Sequence, residues 1–223
     1  MKTFTFLLAA TLIFSACKKN DSGSTNNTTD VYLNTTSGST WSYEQTDQSG
    51  TNSPTDYTVT STSKDSTINS HKYHVYSYSY GGSQYLGKDG NDYYQYDSIP
   101  ISGGINIDRL YLKDNVSTGT TWTQNFSLTI PGVPLAVPLT ITNKISEKGI
   151  DRTVNGTAYS NVIHVTTTLS SALIPPTALT SSIDSYYAPN YGLIENTSVV
   201  SIDFSGIVEN VNVKTQLMSA NLK

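Results

Sequence analysis

Residues 71–80 read His-Lys-Tyr-His-Val-Tyr-Ser-Tyr-Ser-Tyr, and from Tyr76 onward a tyrosine falls on every second position. Successive side chains leave a pleated strand on opposite faces, so a period of two is strand geometry. One face carries His74, Tyr76, Tyr78 and Tyr80; the other carries His71, Tyr73, Val75, Ser77 and Ser79. The same period extends in both directions along the chain. Trp41 and Tyr43 alternate with Ser and Glu, Tyr57 and Val59 with Thr, and Ile105, Ile107 and Arg109 with Asn106 and Asp108. Val199-Val200, Ile202 and Phe204 close the series. Thr, Tyr, Val and Ile dominate these runs, and Gly, Asn, Asp and Pro interrupt them every ~10 residues. The fold class that follows is all-β: a single antiparallel curved sheet, closed to a half-barrel, a barrel or a sandwich. No helix of three turns is expected, although 169–180 and 215–221 have room for a turn or two.

Composition agrees with that class. Ser, Thr and Asn account for 80 of 223 residues, while 13% are charged and 36% hydrophobic. Charge repulsion is too weak to keep such a chain unfolded, and 16 Tyr, 5 Phe and 2 Trp supply the core that sparse aliphatics leave thin. The net charge of -4 and the lack of any basic cluster beyond Lys18-Lys19 exclude a nucleic-acid groove.

The first residues have a separate purpose. Met1-Lys2 is a short positive start, Phe4 to Phe14 an apolar run, and Ser15-Ala16 a small-residue cleavage context. These are the parts of a secretory signal peptide, and the apolar run falls short of the ~20 residues that a spanning helix needs. Phe14-Ser15-Ala16-Cys17 resembles the bacterial lipobox, whose cysteine is diacylated on sulfur and then acylated on its new amino terminus. Cys17 is the single cysteine of the chain, so no intrachain disulfide competes for it. Lys18 after the cysteine resembles the sorting context of outer-membrane lipoproteins. Asn20 to Asp30 contains no apolar residue and reads as a tether, reaching ~45 Å from Cys17 when extended at ~3.3 Å per residue. The expected organisation is a signal peptide at 1–16, a lipidated tether at 17–30 and a β domain at 31–223. The expected partner is the lipid bilayer, through palmitate or a similar acyl chain on Cys17.

Two hairpins have a turn mechanism in the sequence. Lys88-Asp89-Gly90-Asn91 and Val154-Asn155-Gly156-Thr157 centre on Asp-Gly and Asn-Gly, which tolerate positive φ at both turn positions. A two-residue loop at Asp89-Gly90 predicts that Leu86 faces Tyr93 and Tyr85 faces Tyr94, with Tyr96 completing an aromatic patch. Gly38-Ser39-Thr40-Trp41-Ser42 and Gly119-Thr120-Thr121-Trp122-Thr123 echo each other. The echo reads either as two strand starts that bury an indole in one core or as a duplicated half.

Five segments resemble, in order, a broad group of uncharacterised bacterial envelope lipoproteins. They are the Gly-Ser-Thr-Trp-Ser-Tyr start, Tyr85-Leu86-Gly87-Lys88-Asp89-Gly90, the second Gly-Thr-Thr-Trp-Thr, Asn161-Val162-Ile163-His164-Val165, and the run from Ser185 to Ile194. The resemblance implies a curved antiparallel sheet of the lipoprotein-carrier type with an apolar concave face. It implies no functional residue.

Catalytic signatures are lacking in the sequence. There is no Gly-x-Ser-x-Gly for a serine hydrolase and no Gly-x-Gly-x-x-Gly for a nucleotide. His71 and His74, an odd number apart, point to opposite faces of a strand and cannot ligate one metal ion. Glu44, Glu147, Glu195 and Glu209 offer no spacing that singles out a hydrolytic pair. A non-enzymatic domain without cofactor or metal is expected. Its candidate ligand residues are Tyr76, Tyr78 and Tyr80 as a stacking platform for a glycan, and Leu135, Val137 and Leu173 as the rim of a site for an apolar molecule. The last three come from LTIPGVPLAVPL (128–139) and LSSALIPPTAL (169–179), whose prolines remove ladder donors and predict long loops or edge hairpins. Acylation has a direct test. The wild-type chain should enter the detergent phase with an acylated mature terminus by mass spectrometry, and Cys17→Ala should stay aqueous; an aqueous, unacylated wild type would refute the anchor.

Overall fold

Twelve strands account for most of the chain in the computed structural model, which describes residues 30–99, 105–128 and 136–223. The signal peptide, Cys17, most of the tether and Leu135 lie outside the described residues. The first six strands are β1 (Thr40–Asp47), β2 (Thr55–Ile68), β3 (His71–Tyr78), β4 (Ser83–Asp89), β5 (Asp92–Ile99) and β6 (Ile105–Lys113). The second six are β7 (Thr121–Leu128), β8 (Val137–Val154), β9 (Thr157–Ser170), β10 (Leu179–Ala188), β11 (Gly192–Phe204) and β12 (Ile207–Asn221). All pair antiparallel in one sheet of order β6-β5-β4-β3-β2-β1-β12-β11-β10-β9-β8-β7. The all-β expectation holds, and the sheet is nearly closed into a barrel.

Each half is an up-and-down meander, and β1 pairing with β12 joins the halves from Thr40↔Asn221 to Asp47↔Val213. Trp41 and Trp122 both occupy the second position of the first strand of a meander. Their roles differ: Trp41 is 4% exposed in the interior, whereas Trp122 sits at the seam where β6 approaches β7. There its Nε1 donates to Leu110 O at 2.9 Å. Beside it the Gln124 carboxamide accepts from Leu110 N at 2.7 Å and donates to Asp108 O at 3.2 Å. A side-chain amide thus stands in for a neighbouring peptide, and edge groups that would otherwise template aggregation are partly satisfied.

Turn chemistry sets the registers. Val154↔Thr157 closes on Asn155 and Gly156 at φ 46° and 76°, as the sequence indicates. The other hairpin differs from expectation: Asp89↔Asp92 closes on Gly90-Asn91, so Leu86 faces Gln95, Gly87 faces Tyr94 and Tyr85 faces Tyr96. Gly90 alone of this loop pair takes positive φ, at 58°. The slip of two residues preserves parity, so the outer aromatic patch forms, with Tyr85 and Tyr96 centroids 6.1 Å apart. Asn69-Ser70 and Ser205-Gly206 form two further two-residue loops with positive φ at both positions, and neither carries the Asn-Gly signature in full.

One more expectation changes and two hold. Residues 215–221 belong to β12 and form no helical turn, because pairing with β1 fixes them as strand. In the segment after β9, Pro175 O accepts from Ala178 N and Leu179 N, a single turn. The ends of the 128–139 stretch pair at the edge of the sheet, as expected: Pro138 faces Ser127 near the end of the β7–β8 ladder and precedes the ladder with β9, which begins at Thr140, so its missing N–H falls at a strand end.

The interior is filled largely by tyrosine. One cluster gathers Trp41, Tyr43, Val59, Tyr76, Val162, Ile194 and Leu217, and a second Tyr32, Tyr93, Tyr111, Leu112, Ile145 and Ile163. Buried phenols need acceptors, and they have them. Tyr76 donates to Asn34 O at 2.7 Å, Tyr43 to Leu193 O at 2.8 Å and Tyr32 to Asn161 O at 2.7 Å. Two of these bonds tie in the segment before β1, which packs into one end of the barrel. A third cluster of Val137, Leu139, Ile174, Leu179 and Ile202 fills part of the opposite end, beneath the 171–178 loop.

On the outer face, Tyr73 lies against Gly87, where the chain comes close to Lys72. A Cβ at Gly87 would clash with Lys72 O and meet Tyr73 Cδ1 at 3.3 Å. Gly87→Ala should therefore cost about 1–3 kcal/mol, read as a lower urea midpoint at unchanged slope; an unchanged midpoint would show that the β3–β4 pair has room to yield.

Candidate functional site

The barrel interior is not completely filled. A cavity of about 260 Å³ lies between the packed ends, at the small end of the ~300–1,000 Å³ usual for ligand pockets. Its wall is built by strand alternation: β1 contributes Trp41 and Tyr43, β2 Tyr57 and Val59, β3 Tyr76 and Tyr78. From β4, β5 and β6 come Gln84, Leu86, Gln95, Arg109 and Tyr111. The second meander adds Asn143, Thr167, Ile183, Ser185, Tyr187, Asn196 and Ser198, while Leu33, Asn34, Tyr191 and Leu193 close the plugged end. Aromatic rings are the largest group, and polar amides and hydroxyls together outnumber the aliphatic side chains.

Of the residues singled out from sequence, Tyr76 and Tyr78 line this cavity. Tyr80 lies just beyond, 69% exposed and stacked on Tyr78 at 4.9 Å and 13°. Tyr57 contacts both edge-on and stacks on Tyr43 at 5.4 Å, so aromatic surface runs from the interior to solvent. Val137 is elsewhere, buried in the cluster under Ile174. Leu173 is 50% exposed, and its neighbour Ile174 turns inward in its place. The structure therefore does not bring Val137 and Leu173 together with the tyrosines, and Leu135 lies outside the described residues. Tyr43, Tyr57, Tyr111, Tyr187, Gln95 and Arg109 were not singled out beforehand. For Arg109 a signal exists, since it shares the inward parity of Ile107 in β6.

The polar groups of the wall have distinct states. Arg109 Nη2 donates to Gln95 Oε1 at 2.7 Å, and Gln95 Nε2 donates to Asp97 Oδ2 at 3.1 Å. Trp41 Nε1 is buried and finds no acceptor among the described residues. The histidines take carboxylate partners: His71 with Asp108 at 2.7 Å, His74 with Asp65 at 2.9 Å, and His164 with Glu147 and Asp184 at 3.0 and 2.8 Å. Among the described residues no group of three or more His, Cys, Asp or Glu is arranged to hold a metal ion.

Comparison with known proteins gives two similar solved structures. One is described as a "putative lipoprotein" from Parabacteroides distasonis, with a TM-score of 0.49 and 13% identity. The other, from Bacteroides fragilis, is described as a "putative exported protein with YmcC-like fold", with a TM-score of 0.47 and 9% identity. Each comparison covers 86% of this chain and 99% of the other. No family model and no curated protein sequence matches the chain.

Burial shapes the titration of the wall. Burial, then the nearby Tyr80, pushes Tyr57 up to about 12 from an ordinary 10, against a partial offset from its hydrogen bond to Thr215. Burial likewise raises Tyr76 and Tyr78, and lifts Tyr43 and Tyr111 well above 10. The folded state thus favours the neutral phenol more than the unfolded chain does. This contribution to stability is complete below pH ~10 and declines as pH rises from ~10 through ~12. Phenolate absorbance should lag well behind free tyrosine above pH 10 and then rise together with loss of β-sheet circular dichroism; early titration of most of the 16 tyrosines in folded protein would contradict the burial.

Proposed function

We propose that this chain is an envelope lipoprotein that binds a small, ring-bearing polar ligand, a single sugar or one sugar unit of a glycan, and performs no catalysis on it. The observation that carries this reading is the composition of the cavity wall: tyrosine rings, most of them from β1 to β3, share it with the amides of Gln84, Gln95, Asn143 and Asn196. A sugar ring offers C–H faces to aromatic surfaces and hydroxyls to amides, so it satisfies both kinds of group. An acyl chain satisfies only one. Laying it here would strip water from amides and hydroxyls without replacement, at roughly 1–3 kcal/mol per group. The wall therefore favours the glycan alternative over the apolar ligand that the sheet class implies.

Anchorage belongs to the same proposal. Acylated Cys17 would hold the domain at the outer membrane of the envelope, and the polar tether up to Asp30 would let it move away from the lipid. The absence of catalysis rests on the sequence, in which no nucleophile, base or carboxylate pair is set apart.

Intrinsic fluorescence of Trp41 beside the cavity supplies the test. Titration with neutral and acidic monosaccharides should give saturable changes, and Tyr78→Ala should weaken them several-fold, the stacking worth of about 0.5–1.5 kcal/mol. Saturable binding of a fluorescent fatty acid with none for any sugar would overturn the reading, as would turnover of a glycan by the purified domain.

A further inference from the structure

Among the described residues, those that line the cavity include one cation, Arg109, and no carboxylate, inside a protein whose net charge is -4. We propose that the ligand is an acidic sugar whose carboxylate is received by Arg109; this rests on the sugar-binding reading above and adds the charge of the ligand to it.

The chain has two arginines, and their settings differ. Arg152, on the outer face, is neutralised by Glu195 at 2.7 Å and lies over the Tyr186 ring at 3.3 Å. Arg109 faces the cavity, and among the described residues no carboxylate oxygen comes within ion-pair distance of it. Its hydrogen bond to Gln95 uses one of the five N–H donors of a guanidinium. Gln95 is itself oriented: its Nε2 is directed to Asp97, which turns its Oε1 toward Arg109. The guanidinium is thereby held in place with most of its planar fork uncommitted, which suits the two oxygens of a carboxylate. Asp97 lies beyond Gln95 and is not a wall residue. Its charge is felt by Tyr78 and Tyr80, while the charged side chain that faces the cavity among the described residues is Arg109.

Other groups of the wall fit the same ligand. Tyr111 and Tyr187 stand near enough to Arg109 to feel its charge, and burial keeps both phenols protonated. Protonated phenols beside the guanidinium can donate to the same acceptor-rich anion.

The experiment pairs matched sugars: glucuronate against glucose, and galacturonate against galactose, titrated by intrinsic fluorescence at low and moderate salt. Wild type should prefer each acid by about tenfold or more, with the preference shrinking as salt rises. Arg109→Gln should abolish that preference while still binding the neutral sugar, and Arg109→Lys should keep part of it by retaining charge without the fork. Digalacturonate compared with galacturonate separates a glycan end from a free sugar acid, since only the former gains from the second unit. Equal wild-type affinity for acid and neutral partners, or a preference that survives Arg109→Gln, overturns the assignment of Arg109 and leaves the sugar reading intact. Failure of every sugar to bind wild type overturns both. Should Arg109→Gln prove unfolded by circular dichroism, the acid-to-neutral ratio of wild type and of Arg109→Lys decides.

Discussion

The pairing of β1 with β12 is the constraint on which the remaining architecture depends. It joins the two ends of the described chain in the middle of the sheet, with a sequence separation that no local turn supplies. Loop closure over such a span is entropically expensive, and the ladder offsets it only together with the tyrosine clusters that it creates. Trp41 and Tyr43 are inward residues of β1, and Leu217 of β12 packs in the same cluster. Without this pairing the two meanders would each expose an aromatic face and a long edge.

Once the halves are joined, curvature brings β6 and β7 together, and a different physics completes the wall. Trp122, Gln124 and Asn143 supply side-chain donors and acceptors to the backbone of β6. A barrel of this breadth has more interior than its aliphatics can fill. Tyrosine spans the space because a ring covers much area while its hydroxyl can end on a carbonyl, as Tyr43 and Tyr76 do. The same choice of filler produces the cavity, since rigid phenols held at their tips cannot collapse into the remaining volume. Fold and site therefore share one cause.

Outside the barrel, the second meander is braced by a chain of contacts that the interior does not need. Lys214 and Arg152 flank Glu195, Arg152 covers Tyr186, Tyr186 stacks on His164 at 4.2 Å, and His164 reaches Glu147 and Asp184. Glu195 is 6% exposed, so its charge depends on those cations. This belt crosses β8 to β12, and it absorbs the histidine and glutamate that in isolation would look like candidates for chemistry. Arg109 stands apart from this belt, facing the cavity.

The alternation of residues 71–80, the Asn155-Gly156 turn and the placement of Tyr76 and Tyr78 on one strand face were legible in the sequence, because period and positive φ are properties of a few adjacent residues. The register at Asp89↔Asp92 was not, since Asp-Gly and Gly-Asn overlap and only the facing strands choose between them. Nor could the sequence say that Ile174 and not Leu173 would turn inward, or that Pro138 would sit inside a strand. The sequence by itself determined which residues share a face. Only the tertiary structure decided which faces meet, because the β1–β12 pairing and the curvature of twelve strands bring residues as distant as Tyr43, Arg109 and Asn143 around one cavity, and no local signal encodes that distance.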